Sequence, residues 1–405
     1  MTKIIKKLQS VFFTILGRLF VYPFSNIVKR DNHIWVFGSN FGYADNPKYL
    51  YEEVHMNYPS IKTIWIYKKR SDNDWYKSRG INAFYYKSLK GIKYCLKAGV
   101  YIYSFKTSDI NYYTSGNVFK VNLWHGIGMK ECEFRIKKGR LADRYNGSLI
   151  SRFRFPVIYQ KPDLLLNVGK KYFEIQRDSF KVDENTCVVD IFPRCKPFFD
   201  NKQQQVNRIE NEEKELHDLY MTIKRYNKVY FYMPTFRDSH RDIFTACGFD
   251  FIALNNSLKK SNDIFVIKVH PNTFSLLSKI DSFSNIIIIK HQFDIYPILP
   301  FIDTLITDYS SIYFDCLLLR KELVLFPFDI EEYKNGDREL SIDYNADIKG
   351  TRIYKFKELL DIVDKRTDCH LQKIEYDNLT FDFWGEEHHD IAKEIMRRIR
   401  IHDMR

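Results

Sequence analysis

The sequence predicts an α/β protein built from two doubly wound domains that face each other across a cleft. Short apolar runs, rich in β-branched and aromatic residues, alternate with helical stretches along most of the chain. Such alternation is typical of parallel sheets that helices cover on both faces. The pattern pauses at one polar stretch and then restarts, and 405 residues suit two domains of about 150 to 200 residues each.

The first half is expected to form one parallel sheet. A loop rich in Gly, Asn, Asp and Pro over residues 39–47 follows the first strand, and a helix is predicted over 49–56. The predicted strands are 33–38, 63–67, 82–86, 100–104, 120–123, 164–168 and 186–189. In open sheets of this kind ligands bind at the carboxyl ends of the strands, so a site is expected in the loops that follow them.

The second half repeats this organisation after the polar stretch 201–218, which we interpret as a surface helix or linker. The predicted strands are 229–233, 264–269, 285–289, 304–307 and 323–326, with an apolar helix over 312–319 and a basic helix over 390–401. We therefore expect a first domain over 31–205 and a second over 206–389. The basic C-terminal helix, 390–405, is expected to cross back to the first domain.

The N-terminal segment, 1–30, is expected to associate with a membrane surface. Its apolar stretch 11–24 is interrupted by Arg18 and ended by Pro23, which makes it too short to span a bilayer. It has no small-residue cleavage site of the kind that signal peptides carry. Flanking lysines suit an amphipathic helix on anionic lipid, at the cytoplasmic face of the membrane. The alternative is a helix packed on the protein's own core.

The charge and the cysteines narrow the class of protein. A net charge of +12 implies an anionic partner, which is a nucleic acid, an acidic lipid or a phosphorylated substrate. No zinc-finger spacing, RNA-binding strand motif or basic heptad region is present, so no nucleic acid is expected as partner. Seven cysteines without a CxxC pair indicate reduced thiols, with neither a disulfide framework nor a cysteine metal site.

The first chemistry-bearing segment is 122–130 (NLWHGIGMK), where a predicted strand runs into a histidine flanked by glycines. His125 is a candidate general base because imidazole titrates near neutrality. Gly126 permits a close backbone approach, and Lys130 adds a positive charge to the possible substrate pocket. The structural alternative is a core histidine bonded to a backbone carbonyl.

Two further segments follow strands of the second half and carry cations. Arg237 can pair with a phosphate through two N–H groups, and Thr235 can donate a hydrogen bond in the substrate pocket. Lys268 and His270 follow the next strand and offer positive charge and donors to a diphosphate. The structural alternatives are an ion pair between Arg237 and Asp238 and a structural role for His270.

The fourth segment is a helix start that is suited to phosphate. Thr307, Asp308, Ser310 and Ser311 precede the apolar helix 312–319. Free N–H groups and the helix dipole favour an anion there, although Asp308 or Ser310 can equally serve as an ordinary N-cap. The sequence contains no phosphate-binding P-loop and no compact metal motif, so neither a metal nor a cofactor is expected.

Taken in order, these segments resemble the CDP-glycerol glycerophosphotransferase family of teichoic-acid and capsule synthesis. The resemblance runs from about residue 31 to the end of the chain. The motifs that carry it are 37–54 (FGSNFGYADNPKYLYEEV), 122–130, 232–238 (YMPTFRD), 268–271 (KVHP) and 305–333 (LITDYSSIYFDCLLLRKELVLFPFDIEEY). The last of these is the most specific.

The resemblance implies a glycosyltransferase-B-like fold of two Rossmann-like domains, with the acceptor side on the first and the CDP-donor side on the second. It implies His125 as the base that deprotonates an acceptor hydroxyl. It implies that His270, Ser310 and Ser311 contact the donor phosphates and that Arg237 joins that pocket. The expected partners are a CDP-polyol and a lipid-linked glycan or polymer acceptor. Positive side chains and helix N–H groups can offset the pyrophosphate charge without metal.

Donor identity is the least determined point. Glu332 and Arg338 are candidates for the substrate pocket, but segment 337–356 departs from the Gly-rich, Pro–Gly-containing segment that many relatives carry. CDP-glycerol is the expected donor. CDP-ribitol, or a nucleotide sugar used by a glycosyltransferase of the same fold, is the enzymatic alternative. A basic, membrane-associated scaffold that binds anionic polymer is the non-enzymatic one.

Overall fold

The protein contains two parallel sheets, one in each half of the chain. The computed structural model describes residues 14–139, 141–235, 237, 242–269, 283–289, 293–336, 339–386 and 388–402. The strands are β1 (Asp31–Gly38), β2 (Lys62–Tyr67), β3 (Ala83–Tyr85), β4 (Ala98–Tyr103), β5 (Phe119–Asn122), β6 (Leu164–Asn167), β7 (Cys187–Val189), β8 (Val229–Tyr232), β9 (Ile264–Lys268), β10 (Ile286–Ile289), β11 (Thr304–Thr307), β12 (Glu322–Leu325) and β13 (Thr351–Arg352).

The strand order places a crevice at the carboxyl edge of each sheet. The seven-stranded sheet has the order β3-β2-β1-β4-β5-β6-β7, and the six-stranded sheet has the order β10-β9-β8-β11-β12-β13. The order reverses between β1 and β4 in the first sheet and between β8 and β11 in the second. In doubly wound sheets ligands bind at such reversals.

Helices cover both sheets. The helices are α1 (Tyr22–Ile27), α2 (Asp45–Asn57), α3 (Asn73–Ser78), α4 (Leu89–Lys97), α5 (Ala142–Tyr145), α6 (Leu149–Arg154), α7 (Lys170–Phe180), α8 (Lys202–Glu210), α9 (Lys214–Ile223), α10 (Ile243–Ala246), α11 (Phe251–Ser261), α12 (Ile312–Leu318), α13 (Ile330–Gly336), α14 (Tyr344–Asp347), α15 (Phe356–Lys365), α16 (Lys373–Trp384) and α17 (Ile391–His402). Because both faces are covered, consecutive strand residues such as Val100, Tyr101 and Ile102 are all fully buried.

The predicted fold class is confirmed, and each predicted strand is found within two residues of its expected bounds. The two-residue strand β13 was missed because Thr351–Arg352 carries no apolar run. Helix α2 begins at Asp45, inside the predicted loop, because a proline at position 47 is compatible with the first turn of a helix. The polar stretch 201–218 forms helix α8 and the first half of α9. Cys316, expected in the core, is fully buried.

The two halves share one core. A single cluster of buried apolar side chains contains Val121 of β5 and Leu305 of β11, together with Ile395 of the last helix. That helix also contacts the first half directly, since Arg398 donates to the carbonyl of Asn185, just before β7, at 2.6 Å and to that of Cys187 in β7 at 3.5 Å. The domain bounds expected from the sequence remain predictions.

The described part of the N-terminal segment packs against the first half. The ring of Tyr22 stacks on Tyr112 with centroids 5.0 Å apart, and Gly17 lies against Tyr113 so closely that a Cβ would approach the ring to 2.7 Å. Within the described ranges, no helix combines the length and the apolar composition needed to cross a membrane. Residues 1–13 lie outside the described residues.

Candidate active site

The loop after β5 presents His125 at the carboxyl edge of the first sheet. Its backbone is unusual, because Trp124 has φ +53° and Gly126 has φ +132°. Two asparagines hold this turn. Asn46 donates to the carbonyl of Trp124 at 2.8 Å, and the side-chain oxygen of Asn122 accepts from the amide of Trp124 at 2.9 Å. The orientation of His125 is therefore set by residues on two neighbouring elements.

Aromatic rings surround the imidazole of His125. The ring centroids of Trp124 and Phe105 lie 4.0 and 5.7 Å away, and that of Phe41 lies 6.2 Å away. Burial lowers the pKa of His125 to about 4, and the charge of Asp45 opposes this shift in part. The atom Nδ1 is buried and has no hydrogen-bond partner among the described residues. The imidazole is therefore neutral at pH 7 and chemically able to accept a proton.

Arg194, which follows β7, connects this loop to the second half. Its Nη1 donates to Asp45 at 2.7 Å and to the carbonyl of His125 at 2.8 Å. Its Nη2 donates to Asp315 of helix α12 at 3.0 Å. All three charged side chains are buried, and the two carboxylates hold the pKa of Arg194 well above its usual value despite burial.

The His125 loop also touches the start of α12. A Cβ on Gly126 would lie 2.8 Å from Nη2 of Arg194 and 3.3 Å from the hydroxyl oxygen of Ser311. Glycine is thus required by both the backbone angle and the space. The structure therefore brings the first and the fourth predicted segments together, although they are far apart in the sequence.

Lys130 lies on a second connection between the halves. It pairs with Leu340 in an antiparallel bridge, and the amide of Ser341 donates to the carbonyl of Met129 at 2.9 Å. The ammonium group of Lys130 lies 4.6 Å from the ring centroid of Tyr333. Glu332, the neighbour of Tyr333 on α13, has an exposed side chain.

Arg237 lies inside the second half, between two carboxylates. Its Nη2 donates to Asp308 at 2.8 Å, its Nε donates to Asp329 at 2.7 Å, and its Nη1 donates to the carbonyl of Thr235 at 2.6 Å. Nη2 also bonds the second oxygen of Asp329, and only 3% of the residue is exposed. A direct contact with phosphate would depend on the one remaining N–H of Nη1.

The polar groups of Thr307 and Asp308 are satisfied within the protein. The hydroxyl of Thr307 donates to the carbonyl of Met233 at 2.8 Å, and Asp308 accepts from the amides of Thr235 and Tyr309. Both residues are buried, so this geometry assigns them to shaping the loop rather than to its ligand-facing side. In contrast, Ser310 and Ser311 are partly exposed, and the hydroxyl of Thr235 is buried without a described partner.

Lys268 lies at the end of β9. Its ammonium group donates to the carbonyl of Phe293 at 3.2 Å, and burial lowers its pKa to about 8. An anionic ligand would stabilise the charged form and raise this pKa. His270 and Arg338, both singled out in the sequence, lie outside the described residues.

Three residues of this site were not predicted from the sequence. Asp45 and Asp315 belong to motifs that the sequence had singled out, but neither was assigned a role. Arg194 follows a predicted strand, and a basic residue at such a position was the signal that could have identified it. Its function as a link depends on partners 149 and 121 positions away in the chain.

One group of described side chains has the composition of a metal site, but it lies elsewhere. Glu322, Asp368 and His370 offer ligand atoms within 4.8 Å of one another. Glu322 begins β12, at the opposite edge of the sheet from the site, and already accepts two bonds from Lys228 and one from Thr304. A metal ion bound by this group would therefore lie at the other edge of the sheet, away from the candidate site.

Comparisons with known proteins agree with the fold and the motif order. The chain is 26% identical over 351 residues to a teichoic acid poly(glycerol phosphate) polymerase of Staphylococcus epidermidis, matching 82% of this chain and 46% of that protein. It is 22% identical over 340 residues to a teichoic acid glycerol-phosphate transferase of Staphylococcus aureus, matching 82% of this chain and 83% of that protein. The chain thus spans less than half the length of the first of these relatives.

A solved structure of the wall teichoic acid polymerase TagF has the same fold. It superposes with a TM-score of 0.73 at 21% identity, over 98% of this chain and 97% of that one. The glycosyltransferase-B-like arrangement expected from the motifs is thereby confirmed. The sequence pattern of the family described as CDP-Glycerol:Poly(glycerophosphate) glycerophosphotransferase matches residues 20–383. With this match across nearly the whole chain, the protein belongs to the CDP-glycerol:poly(glycerophosphate) glycerophosphotransferase family.

Proposed function

We propose that this chain transfers a polyol-phosphate unit, glycerol phosphate in the first instance, from a CDP-activated donor to a hydroxyl of a teichoic-acid-type or capsular polymer. The acceptor in this proposal is lipid-linked, and the protein works peripherally at the cytoplasmic face of the membrane. CMP is the second product. Family membership and the arrangement of the loops support this reaction class.

In the proposed reaction His125 takes the proton of the acceptor hydroxyl. The acceptor oxygen forms a bond to the β-phosphorus of the donor while the bond from that phosphorus to the bridging oxygen breaks. CMP leaves with the bridging oxygen. Positioning and charge stabilisation supply most of the rate in phosphoryl transfer. A neutral imidazole is required for the first step, and burial of His125 favours that form.

The donor phosphates are proposed to bind at the second half, near Lys268, His270, Ser310 and Ser311. Arg237 is proposed to act mainly through Asp308, which it fixes, and only secondarily through its remaining N–H. Burial lowers the pKa of Lys268 to about 8, so its ammonium group is still mostly charged at pH 7, and a bound diphosphate would stabilise that charged form. Metal is not part of the proposal, because these cations and amides can offset the diphosphate charge.

The contact between the His125 loop and helix α12 is the observation that carries the proposal. A Cβ on Gly126 would lie only 3.3 Å from the hydroxyl oxygen of Ser311, so the two loops are in close contact. A base on one sheet and a phosphate-binding helix start on the other therefore border the same crevice. Such an arrangement suits a reaction in which a base and a diphosphate must meet one acceptor oxygen.

The first experiment measures CMP or UDP release by the full chain with CDP-glycerol, CDP-ribitol and UDP-sugars, using a lipid-linked or synthetic polymer acceptor. We expect CMP release with one CDP-polyol, unchanged by EDTA and lost in His125→Ala. The matched control is His217→Ala, which removes a partly exposed histidine on α9. Turnover with UDP-sugars alone would overturn the phosphotransferase assignment. Calorimetric donor binding without turnover in any combination, and undiminished in His125→Ala, would favour the scaffold alternative.

A further inference from the structure

Two lysines at the carboxyl edge of the first sheet converge on one tyrosine ring. Lys68 follows β2, and Tyr86 and Lys87 follow β3. The ammonium group of Lys68 lies 4.4 Å from the ring centroid of Tyr86, and that of Lys87 lies 5.2 Å from the same centroid. An aromatic ring attracts each cation, but it does not neutralise either charge. We call these three residues the two-lysine cluster.

The charge of the two-lysine cluster is not balanced within the part of the chain that the structure describes. There, neither lysine forms an ion pair with a carboxylate, and Lys68 donates to the carbonyl of Ile110 at 2.6 Å. Burial lowers the pKa of Lys68 to about 8, Asp109 opposes this shift, and the charge of Lys87 adds to it. Burial also raises the pKa of Asp109 to about 7, so its carboxyl group offsets the lysine charge only in part at pH 7.

The surroundings of the cluster are positively charged as well. Residues 87–97, from Lys87 to the end of α4, contain four lysines and no Asp or Glu. Asp72 and Asp74 lie near Tyr67, which packs in the core on one face of the sheet. Tyr86 packs with the core on the opposite face. An anionic ligand at Tyr86 would therefore meet positive charge.

The loop after β4 connects the cluster to the loop of His125. The ring of Phe105 in this loop lies 5.7 Å from the imidazole of His125, measured between centroids. The loop continues over the end of β1, where a Cβ on Gly38 would lie 2.9 Å from Cγ1 of Ile110, and it reaches Lys68 through the carbonyl of Ile110. The cluster and the candidate base thus border the same edge of the sheet.

The separation of the cluster from the candidate base matches the repeat of a polyol-phosphate chain. Strands β1 and β4 lie between β2 and β5, which places the ends of β2 and β5 roughly 14 Å apart. A glycerol-phosphate repeat has about six backbone bonds and spans about 7 Å when extended. A chain whose terminal hydroxyl lies at His125 would therefore place a phosphodiester about two repeats back at the cluster.

We propose that Lys68, Tyr86 and Lys87 form a subsite for an internal phosphodiester of the acceptor polymer. This inference rests on the proposed function, and it adds that the favoured acceptor already carries polyol-phosphate units. A single extended chain of phosphates can reach Lys68, which is half-buried between Ile110 and Tyr86. A flat bilayer, in contrast, meets exposed side chains such as Lys87 first. The geometry therefore favours a polymer over a lipid surface.

The first test is calorimetric binding of four-unit oligomers of glycerol phosphate and of ribitol phosphate to the full chain, without donor. Lys68→Gln/Lys87→Gln should weaken the binding of at least one oligomer by about tenfold. Lys87→Gln alone changes only an exposed side chain and should weaken it by about threefold. The matched control is Lys62→Gln, which removes a lysine that lies 4.8 Å from the ring centroid of Tyr94 at the other end of β2. It should bind as the wild type does, and circular dichroism verifies that all variants are folded.

The second test compares acceptors that carry one and four polyol-phosphate units in the assay of CMP release. Lys68→Gln/Lys87→Gln should raise KM for the four-unit acceptor about tenfold. It should leave kcat unchanged, and also KM for the single-unit acceptor, because a single unit at His125 does not reach the cluster. An equal rise of KM for both acceptors would contradict the subsite.

Three further outcomes have distinct meanings. Wild-type affinity of the double variant for both oligomers, or no oligomer binding by the wild type, would overturn the proposal. Unchanged oligomer binding combined with weaker binding to phosphatidylglycerol vesicles would assign the two lysines to lipid and would also overturn it. Oligomer binding that depends on the two lysines, without CMP release from any donor and acceptor, would contradict the proposed reaction but support the polymer subsite.

Discussion

At the scale of single residues, the site depends on buried charged groups that are paired with buried groups of opposite charge. Arg194 is bonded to two carboxylates and to the carbonyl of His125, and Arg237 is bonded to two other carboxylates. Buried charges are tolerated only with such partners. The residues that the sequence predicted for the site fall into two groups by their position. His125 and Ser311 border the crevice, whereas Thr307 and Asp308 shape the loop from inside.

His125→Ala should lower the rate of CMP release by roughly 10²–10⁴-fold, the usual contribution of a general base. In the wild type, the acid limb of the pH–rate profile should follow the lowered pKa of about 4. Activity is lost as the base is protonated, so kcat/KM should change little between pH 5.5 and 7.5. An imidazole with the ordinary pKa near 6.5 would give about a tenfold change over that range, and such a change would contradict the buried, neutral state.

Arg194→Met should lower the free energy of unfolding by about 3–5 kcal/mol, because it leaves Asp45 and Asp315 buried without their cation. Urea denaturation followed by tryptophan fluorescence measures this change. The control is Lys260→Met, whose ion pair with Asp364 is exposed and should contribute little. Equal stability of Arg194→Met and wild type would mean that the pairs at Arg194 do not support the fold.

At the scale of elements, loops at the carboxyl edges of the strands determine what meets in the crevice. The motif after β5 touches the start of α12 through Gly126 and Ser311, and residues 129–131 pair with 339–341 across the two halves. Sequence patterns located these segments because strand ends and glycines are local signals. Alternation of apolar residues could not indicate which loops of the two sheets come together.

Gly126→Ala should lower kcat of CMP release about 100-fold without unfolding the protein. The new Cβ would lie 2.8 Å from Nη2 of Arg194 and 3.3 Å from the hydroxyl oxygen of Ser311 and would displace His125 from its position, and displacements near 1 Å carry losses of this size. The control is Gly80→Ala, which also has a positive φ, of +65°, but has no atom within 4 Å of the new Cβ. Equal kcat values for the two variants would show that the contact with α12 does not position the base.

At the scale of the whole molecule, the two halves share one apolar core. One apolar cluster includes strands of both sheets, and buried ion pairs cross between them. Lys48 of α2 is an example, since it pairs with Glu212 at 2.5 Å and with Asp294 of the second half at 3.2 Å. These carboxylates hold the pKa of Lys48 above its usual value in spite of burial.

The wild type should therefore unfold in one guanidinium transition, with coincident midpoints by tryptophan fluorescence and far-UV circular dichroism. Lys48→Met should lower the free energy of unfolding by about 3–5 kcal/mol and shift the transition to a lower denaturant concentration. The reason is that the substitution leaves two carboxylates without their cation. The control is Lys62→Met, which removes an exposed lysine from the same half. Two separate transitions in the wild type would contradict a shared core.

The sequence by itself determined the fold class, the strands of both sheets except β13, and the motifs that identify the family. These features depend on local patterns, which are apolar alternation, turn residues and short motifs at strand ends. Only the tertiary structure decided that Arg194 joins Asp45 to Asp315, that Gly126 touches Ser311, and that Arg18 bonds the end of α6. The physical reason is that a buried ion pair or a shared surface is specified by distance in space. Partners more than 100 positions apart leave no periodicity in the chain from which their contact could be inferred.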